Sequence, residues 1–439
     1  MTTLTVPLSR IEGHAHVTIS FSGPMVHWAR FEAAELRGFE YLVQGAPAEQ
    51  MPVLVPRICG VCSTAHHLAA VKALETIYDV TPPPEAIKIR ELMMLGQLIQ
   101  NQATSLFLFT MPDLTGGQSD RGVRSVFDFG PDDAELAPQS LEVRKAGTDL
   151  ITLAGGQFIH PVKAVVGGVT AGLDEEAAAG VRANLDLQLP VAEALVERYW
   201  DMFLRLKDRI GTLGDDEPTY YLAAVDPGHA YYGRCIRVLS PEGVEEACFD
   251  ACDYTRYLEE VPLETSYANA TLYRGERLRT NSLARLNILP ELGTPRAQRW
   301  MDRFRETWGH PAHAILLFDL GRCIELVYSM ERAMEILDED GLTGSPGRFQ
   351  VGHTPRDGEG CGLVEAPRGP LIHHYGIQDG LITKARFLNP TQHSMFAIEY
   401  ALEVAARRYI TEQGISAELE AAVGRVVRAF DPCIACATH

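Results

Sequence analysis

The chain has 439 residues, 46% of them apolar and 22% charged, and a formal net charge of −19. That length supports a large buried core, and so acidic a balance argues against nucleic acid or an anionic membrane as the main partner. The start, MTTLTVPLSRIEGH, has no apolar h-region, and no uncharged run nears the ~20 residues that cross a bilayer, so a cytoplasmic protein with no direct membrane span is expected.

Residues 17–21, VTISF, alternate as a half-buried strand does, and a Ser-Gly-Pro turn leads into VHWARF, which predicts an N-terminal β hairpin. STAHHLAAVKALETIY reads as a helix. PPPEAIKIRELMMLGQLIQNQATSLFLF opens with prolines suited to a first helical turn, then carries apolar Ile87, Leu92, Leu95 and Ile99. After Pro190, residues Val191, Leu195, Tyr199, Met202, Leu206 and Ile210 recur at helical spacing, predicting a helix over 190–210. A further long helical stretch covers 311–338.

Residues 352–380, containing HTPRDGEGCGLVEAPRGP, are rich in glycine and proline and read as an ordered loop or irregular strands. The glycines of DGEGCGL fail the GxGxxG spacing, because Leu363 stands at the third glycine position, so a nucleotide site is rejected. Near the end, Ser416 is suited to cap a helix with Leu419, Val423, Val426, Val427 and Phe430 on one face, and Asp431-Pro432 stops it. No repeat or low-complexity linker divides the chain. The predicted fold is mainly α with small β elements at its edge (α+β), a long-helix bundle with an N-terminal hairpin, in a single domain over 1–439.

Nine cysteines are present. Four form two Cys-x-x-Cys pairs: Cys59 and Cys62 in RICGVCSTAH, and Cys433 and Cys436 in DPCIACATH. In a cytosolic chain this spacing points to metal or redox chemistry. The turn aims both sulfurs inward, and four thiolates around one ion suit zinc, an iron–sulfur cluster or a soft metal such as nickel. A four-cysteine structural zinc site is one reading, but zinc staples usually serve modules with too little core. His66 follows Cys62 by four residues, on the same face if the segment is helical, which suits a hydrogen bond to sulfur. The other five, Cys235, Cys248, Cys252, Cys323 and Cys361, lack cluster spacing. Cys248 and Cys252 stand i,i+4, and buried core thiols are the expectation.

With RICGVCSTAH and DPCIACATH in place, the chain resembles the large, catalytic subunits of nickel–iron hydrogenases. SRIEGHAHV, LRGFE, GGQFIHPV and EAPRGPL match further motifs of that family in the same order, so the resemblance spans nearly the whole chain. It implies a metal site assembled from 57–66 and 431–439. Cys59 and Cys433 would be terminal nickel ligands, and Cys62 and Cys436 would also bridge to an iron carrying cyanide and carbonyl ligands. Glu12 would relay a proton from Cys433. Arg368, beside Pro367, would lie over the metals, with Asp431 and Asp113 near it; upstream of Asp113 the family often has histidines where this chain has NQATSLFLF. Thr391 falls where members place a hydroxyl that hydrogen-bonds cyanide. Glu40 and the terminal His439 would hold a magnesium ion.

The resemblance further implies reversible heterolytic cleavage of dihydrogen. Electrons would pass to an iron–sulfur small subunit, then on to flavin, nicotinamide, deazaflavin or heterodisulfide-linked modules. The iron–sulfur clusters would lie in the partner, not in this chain. A maturation endopeptidase would act if the chain is made with an extension after His439. A hydrogen-sensing regulatory subunit is the nearest alternative. The related quinone-reductase core subunit of respiratory complexes shares the fold but lacks the cysteine set.

Overall fold

The computed structural model describes residues 1–114, 125, 133–205, 207, 214–226, 233 and 235–438. The predicted hairpin is present as Ala15–Ser22 and Met25–Ala33, and Thr2–Pro7 adds a third antiparallel strand. Its alternation works as read: Val17, Ile19 and Phe31 are buried, one face of a half-covered sheet.

STAHHLAAVKALETIY forms one helix, Ser63–Tyr78, beginning directly after Cys62. The next is Pro84–Ala103, which continues as a π-helical stretch, Thr104–Thr110. It crosses helix Leu136–Gly155 at two glycines. A Cβ on Gly96 would lie 2.9 Å from the Gly147 carbonyl oxygen, and one on Gly147 would lie 2.6 Å from the Gln100 nitrogen. Only glycine allows backbones this close. The helix read from Pro190 is the second half of a longer one, Glu175–Leu204. Its polar first half carries little apolar periodicity, but the Asp174 carboxylate caps it by accepting the Ala177 N–H at 2.8 Å. Leu206 and Ile210 lie outside the described residues.

Helix Leu317–Leu337 falls within the predicted 311–338 and is buried almost all round, including Arg322, Glu325 and Glu331. A helix covered on every side occupies the centre of a core. Its charges are paired: Arg285 donates to Glu325 and to Glu365, all at 0% side-chain exposure. Pro390–Tyr409 and Leu419–Phe430 complete the packing, the latter stopping at Asp431 as expected.

The fold is α+β as expected, and its β part is the following. A six-stranded sheet runs in the order Glu245–Phe249, Ile236–Leu239, Tyr220–Ala223, Glu276–Arg279, Asn269–Tyr273, Leu258–Pro262, with one parallel pair between Tyr220–Ala223 and Glu276–Arg279. These strands are short, so no single run announces itself in the sequence. The stretch 352–380 differs from its reading as a loop or irregular strands. It holds two regular antiparallel strands, Gly358–Ala366 and Gly369–Gln378, with Leu381–Leu388 as the third. The glycines serve contact: a Cβ on Gly362 would sit 2.0 Å from the Ala69 carbonyl oxygen, so the strand presses directly on helix Ser63–Tyr78.

The scattered cysteines also depart from expectation. Cys235 and Cys248 form a disulfide, and Cys252 is exposed, whereas Cys323 and Cys361 are buried thiols. Cys248 lies in a strand, so i,i+4 spacing gives it no common face with Cys252. Among the described residues no helix is long and apolar enough to cross a membrane.

Candidate metal centre

The two Cys-x-x-Cys pairs meet. The four sulfurs lie within 4.8 Å of one another, all buried. Cys433 Sγ is 3.3 Å from Cys59 Sγ, 3.8 Å from Cys62 Sγ and 2.9 Å from Cys436 Sγ, and none is in a disulfide. Cys59 is extended after the short turn Val55–Ile58, and Cys62 begins helix Ser63–Tyr78. The Cys62 N–H reaches back to Cys59 Sγ at 3.4 Å, which closes the turn. Cys433 precedes and Cys436 lies within the single-turn helix Ile434–Ala437, after Asp431 turns the chain in the left-handed region at φ 48°.

The donor set fits a soft metal. Metal–thiolate bonds of about 2.3 Å place four sulfurs on this scale of separation, and thiolates this crowded repel unless a cation takes them all. Their acidities diverge accordingly. Hydrogen bonding from Cys433 pulls the Cys59 and Cys62 thiols down, while burial pushes Cys433 and Cys436 up.

Arg368 adds a fixed positive charge. Its Nη1 donates to Cys62 Sγ at 3.2 Å, its Nη2 to Asp431 Oδ1 at 3.1 Å, and its Nε to the Asp431 carbonyl. Burial opposes this charge, but Asp431 and the sulfurs outweigh it and hold the guanidinium protonated. The loop behind it is pinned: Arg285 donates to the Pro367 carbonyl at 2.8 Å, and Thr280 to the Arg368 carbonyl at 2.8 Å. Asn101, which sequence reasoning missed, donates to Asp431 Oδ2 at 3.2 Å.

Glu12 lies on the other side. Its Oε2 accepts from Cys433 Sγ at 3.2 Å and from the Ala435 N–H at 3.0 Å, and its backbone bridges Cys433. Burial, then the nearby Cys59 sulfur, raise its carboxyl above the ordinary range. Thr391 Oγ1 accepts the Cys433 N–H at 2.9 Å, which fixes the hydroxyl beside the cysteine and leaves its O–H to donate.

His66 reaches Cys436 Sγ, in the other pair from the Cys62 of the spacing argument, through Nε2 at 3.4 Å. Its Nδ1 meets His373 Nε2 at 2.9 Å, and His373 Nδ1 meets the Tyr375 hydroxyl at 2.6 Å. Neither His373 nor Tyr375 was singled out from the sequence. Their i,i+2 spacing in a strand, which puts both on one face, was the available signal.

Two further expected residues are held in ion pairs. The ion pairs of Asp113 run to Arg10 at 2.6 Å and Arg428 at 2.8 Å. Glu40 accepts from Arg386 Nη1 and from the Phe387 N–H, each at 3.0 Å. The Thr438 carbonyl accepts the Arg37 N–H at 2.7 Å, which brings the chain end to the Glu40 segment. His439 lies outside the described residues.

Comparison with known proteins bears on this geometry. Residues 37–111 and 228–439 match the family described as nickel-dependent hydrogenase. One component of the F420-non-reducing hydrogenase vhu of Methanocaldococcus jannaschii is 36% identical over 413 residues, covering 91% of this chain and 97% of that protein. The beta component of the NAD-reducing hydrogenase HoxS of Cupriavidus necator is 29% identical over 99% of this chain and 93% of its own length. Among solved structures, an NAD+-reducing [NiFe]-hydrogenase in the H2-reduced state superposes with a TM-score of 0.93 at 32% identity, covering 100% of both chains.

Proposed function

The chain belongs to the nickel-dependent hydrogenase family, and from that premise we propose that it is the catalytic large subunit of a cytoplasmic nickel–iron hydrogenase that passes electrons to an iron–sulfur small subunit. The protein is a hydrogenase subunit, an oxidoreductase. The observation that carries the finer reading is the convergence of four buried cysteine sulfurs outside any disulfide, with a guanidinium on one side and a carboxylate on the other.

In this reading Cys59 and Cys433 would hold nickel, and Cys62 and Cys436 would hold nickel together with an iron carrying cyanide and carbonyl. When bound, that centre supplies the place where dihydrogen is split heterolytically and where its electrons are taken up. The chain's own residues do the rest. Cys433 Sγ hands a proton to Glu12 Oε2 across 3.2 Å, within reach for direct transfer. Arg368 stays charged throughout, because a guanidinium does not act as a base at ordinary pH. It holds Asp431 and the loop over the sulfurs, and the dry surroundings strengthen every charge there. His66 donates to Cys436 and so tempers the charge on that sulfur.

Glu40 and His439 would hold magnesium. Thr391 orients the cyanide side while it accepts from Cys433. Asp113 sets the Arg10–Arg428 pair beneath the π-helical turn. Residues 1–439 act as one domain, and further electron-transfer subunits and a maturation endopeptidase complete the system. The name of one relative, NAD-reducing, supports a soluble electron acceptor.

Metal analysis of the purified complex tests this. Nickel and iron in comparable amounts, with hydrogen-dependent reduction of an artificial acceptor, are expected. Zinc alone would overturn it.

A further inference from the structure

The chain of side chains behind His66 has a direction that can be deduced. Tyr375 is fully buried, and among the described residues its hydroxyl meets one hydrogen-bond partner, His373 Nδ1 at 2.6 Å. A buried phenol must place its proton on an acceptor, so the O–H donates and His373 Nδ1 carries no hydrogen. The His373 hydrogen is then on Nε2, which faces His66 Nδ1 at 2.9 Å. That nitrogen must accept, which leaves the His66 hydrogen on Nε2, aimed at Cys436 Sγ at 3.4 Å. Each bond thus orders the next, from hydroxyl to sulfur. His373 is held against flipping by the Phe387 ring, 4.7 Å away between centroids.

We propose that Tyr375 and His373 are positioning residues that lock His66 in the tautomer donating to Cys436. The deduction needs only the three contacts; its consequence for the metals rests on the function proposed above. Aligned hydrogen bonds polarise one another, and a donor to a ligand sulfur withdraws charge from it and tunes the site. Without the hydroxyl, the single His373 hydrogen is free to sit on Nδ1 instead of Nε2; His66 then carries its own on Nδ1, and the N–H aimed at sulfur is lost.

The test uses the purified complex. Solid-state 15N spectra of histidine-labelled protein, with His66 and His373 assigned by their loss in His66→Gln and His373→Gln, read the tautomers whatever metal is bound. Both rings are expected as Nε2–H in the wild type, with that pattern lost in Tyr375→Phe. An Nδ1–H form of either ring in the wild type overturns the proposal.

Infrared bands of the iron-bound carbonyl and cyanide give the second readout. Tyr375→Phe should shift them to lower wavenumber. His373→Gln supplies an amide donor to His66 without the hydroxyl, so His373→Gln with Tyr375→Phe should match His373→Gln alone. Unmoved bands in Tyr375→Phe, or a further shift in the double variant, overturn the proposal. A wild-type complex without nickel, iron or such bands counts against the proposed function, and the nitrogen spectra then decide the tautomer by themselves.

Discussion

The two halves of the metal centre are held by different means. Cys59 and Cys62 are seated by packing. They open helix Ser63–Tyr78, which is buried along most of its length and pressed by the strand at Gly362. Cys433 and Cys436 sit on a single turn of helix, too short to stand alone, and are fixed by polar groups from elsewhere: Thr391 on the Cys433 N–H, Glu12 on the Ala435 N–H and Arg368 on the Asp431 carbonyl. The first half is a property of the core. The second is anchored by residues that the proposed mechanism also uses, so substitutions there disturb geometry and chemistry together.

Each half can be broken in its own way. Gly362→Val should have the largest effect, because its side chain meets the Ala69 backbone. A loss of about 4 kcal/mol or more is expected, read as insoluble protein or a collapsed thermal midpoint. Cys436→Ser should leave the fold but abolish stable loading of nickel and iron; intact metal content in that variant would remove its assignment as a shared ligand. Glu12→Gln keeps an acceptor for the Ala435 N–H, so both metals should remain while hydrogen–deuterium exchange of dihydrogen with water falls roughly 10²–10⁴-fold. Full exchange would end its role as relay.

The packed half carries its own pH dependence. Burial holds His67 to about 4, below its usual 6.5, and its Nδ1 faces the Pro52 carbonyl at 2.8 Å. The unfolded chain binds this proton at higher pH than the folded one. Stability is therefore whole above pH 6.5 and falls as pH drops toward 4, by about 3 kcal/mol. In His67→Gln the thermal midpoint should lose this slope between those values. The smallest effect belongs to the anchored half. Thr391→Val strips the Cys433 N–H of its partner at a cost of about 1–3 kcal/mol, visible as faster amide exchange at the chain end with the global midpoint nearly unchanged.

What could be read beforehand divides along similar lines. Helices with one apolar face, such as Leu419–Phe430, declare themselves by period. The six-stranded sheet does not, since strands of four or five residues barely establish an alternation. The glycines near 362 looked like loop because their purpose, contact with a helix far along the chain, is not local. The cysteine pairs and the residues named by resemblance were legible as sequence motifs. Asn101, His373 and Tyr375 were not, because they belong to the site only through residues that touch it. Cys248 and Cys252 misled, since their spacing carries meaning on a helix and Cys248 is in a strand.

The contact between Cys62 and Cys433 spans 371 residues. At the usual 5–20 residues per second of synthesis, the second sulfur pair leaves the ribosome roughly 20–75 s after the first. Throughout that interval Cys59 and Cys62 form an open dithiol, able to oxidise or to take up whatever thiophilic ion arrives. Faithful assembly therefore depends on timing: the waiting pair must be kept reduced and empty, and the proper metals delivered only once the tail has docked.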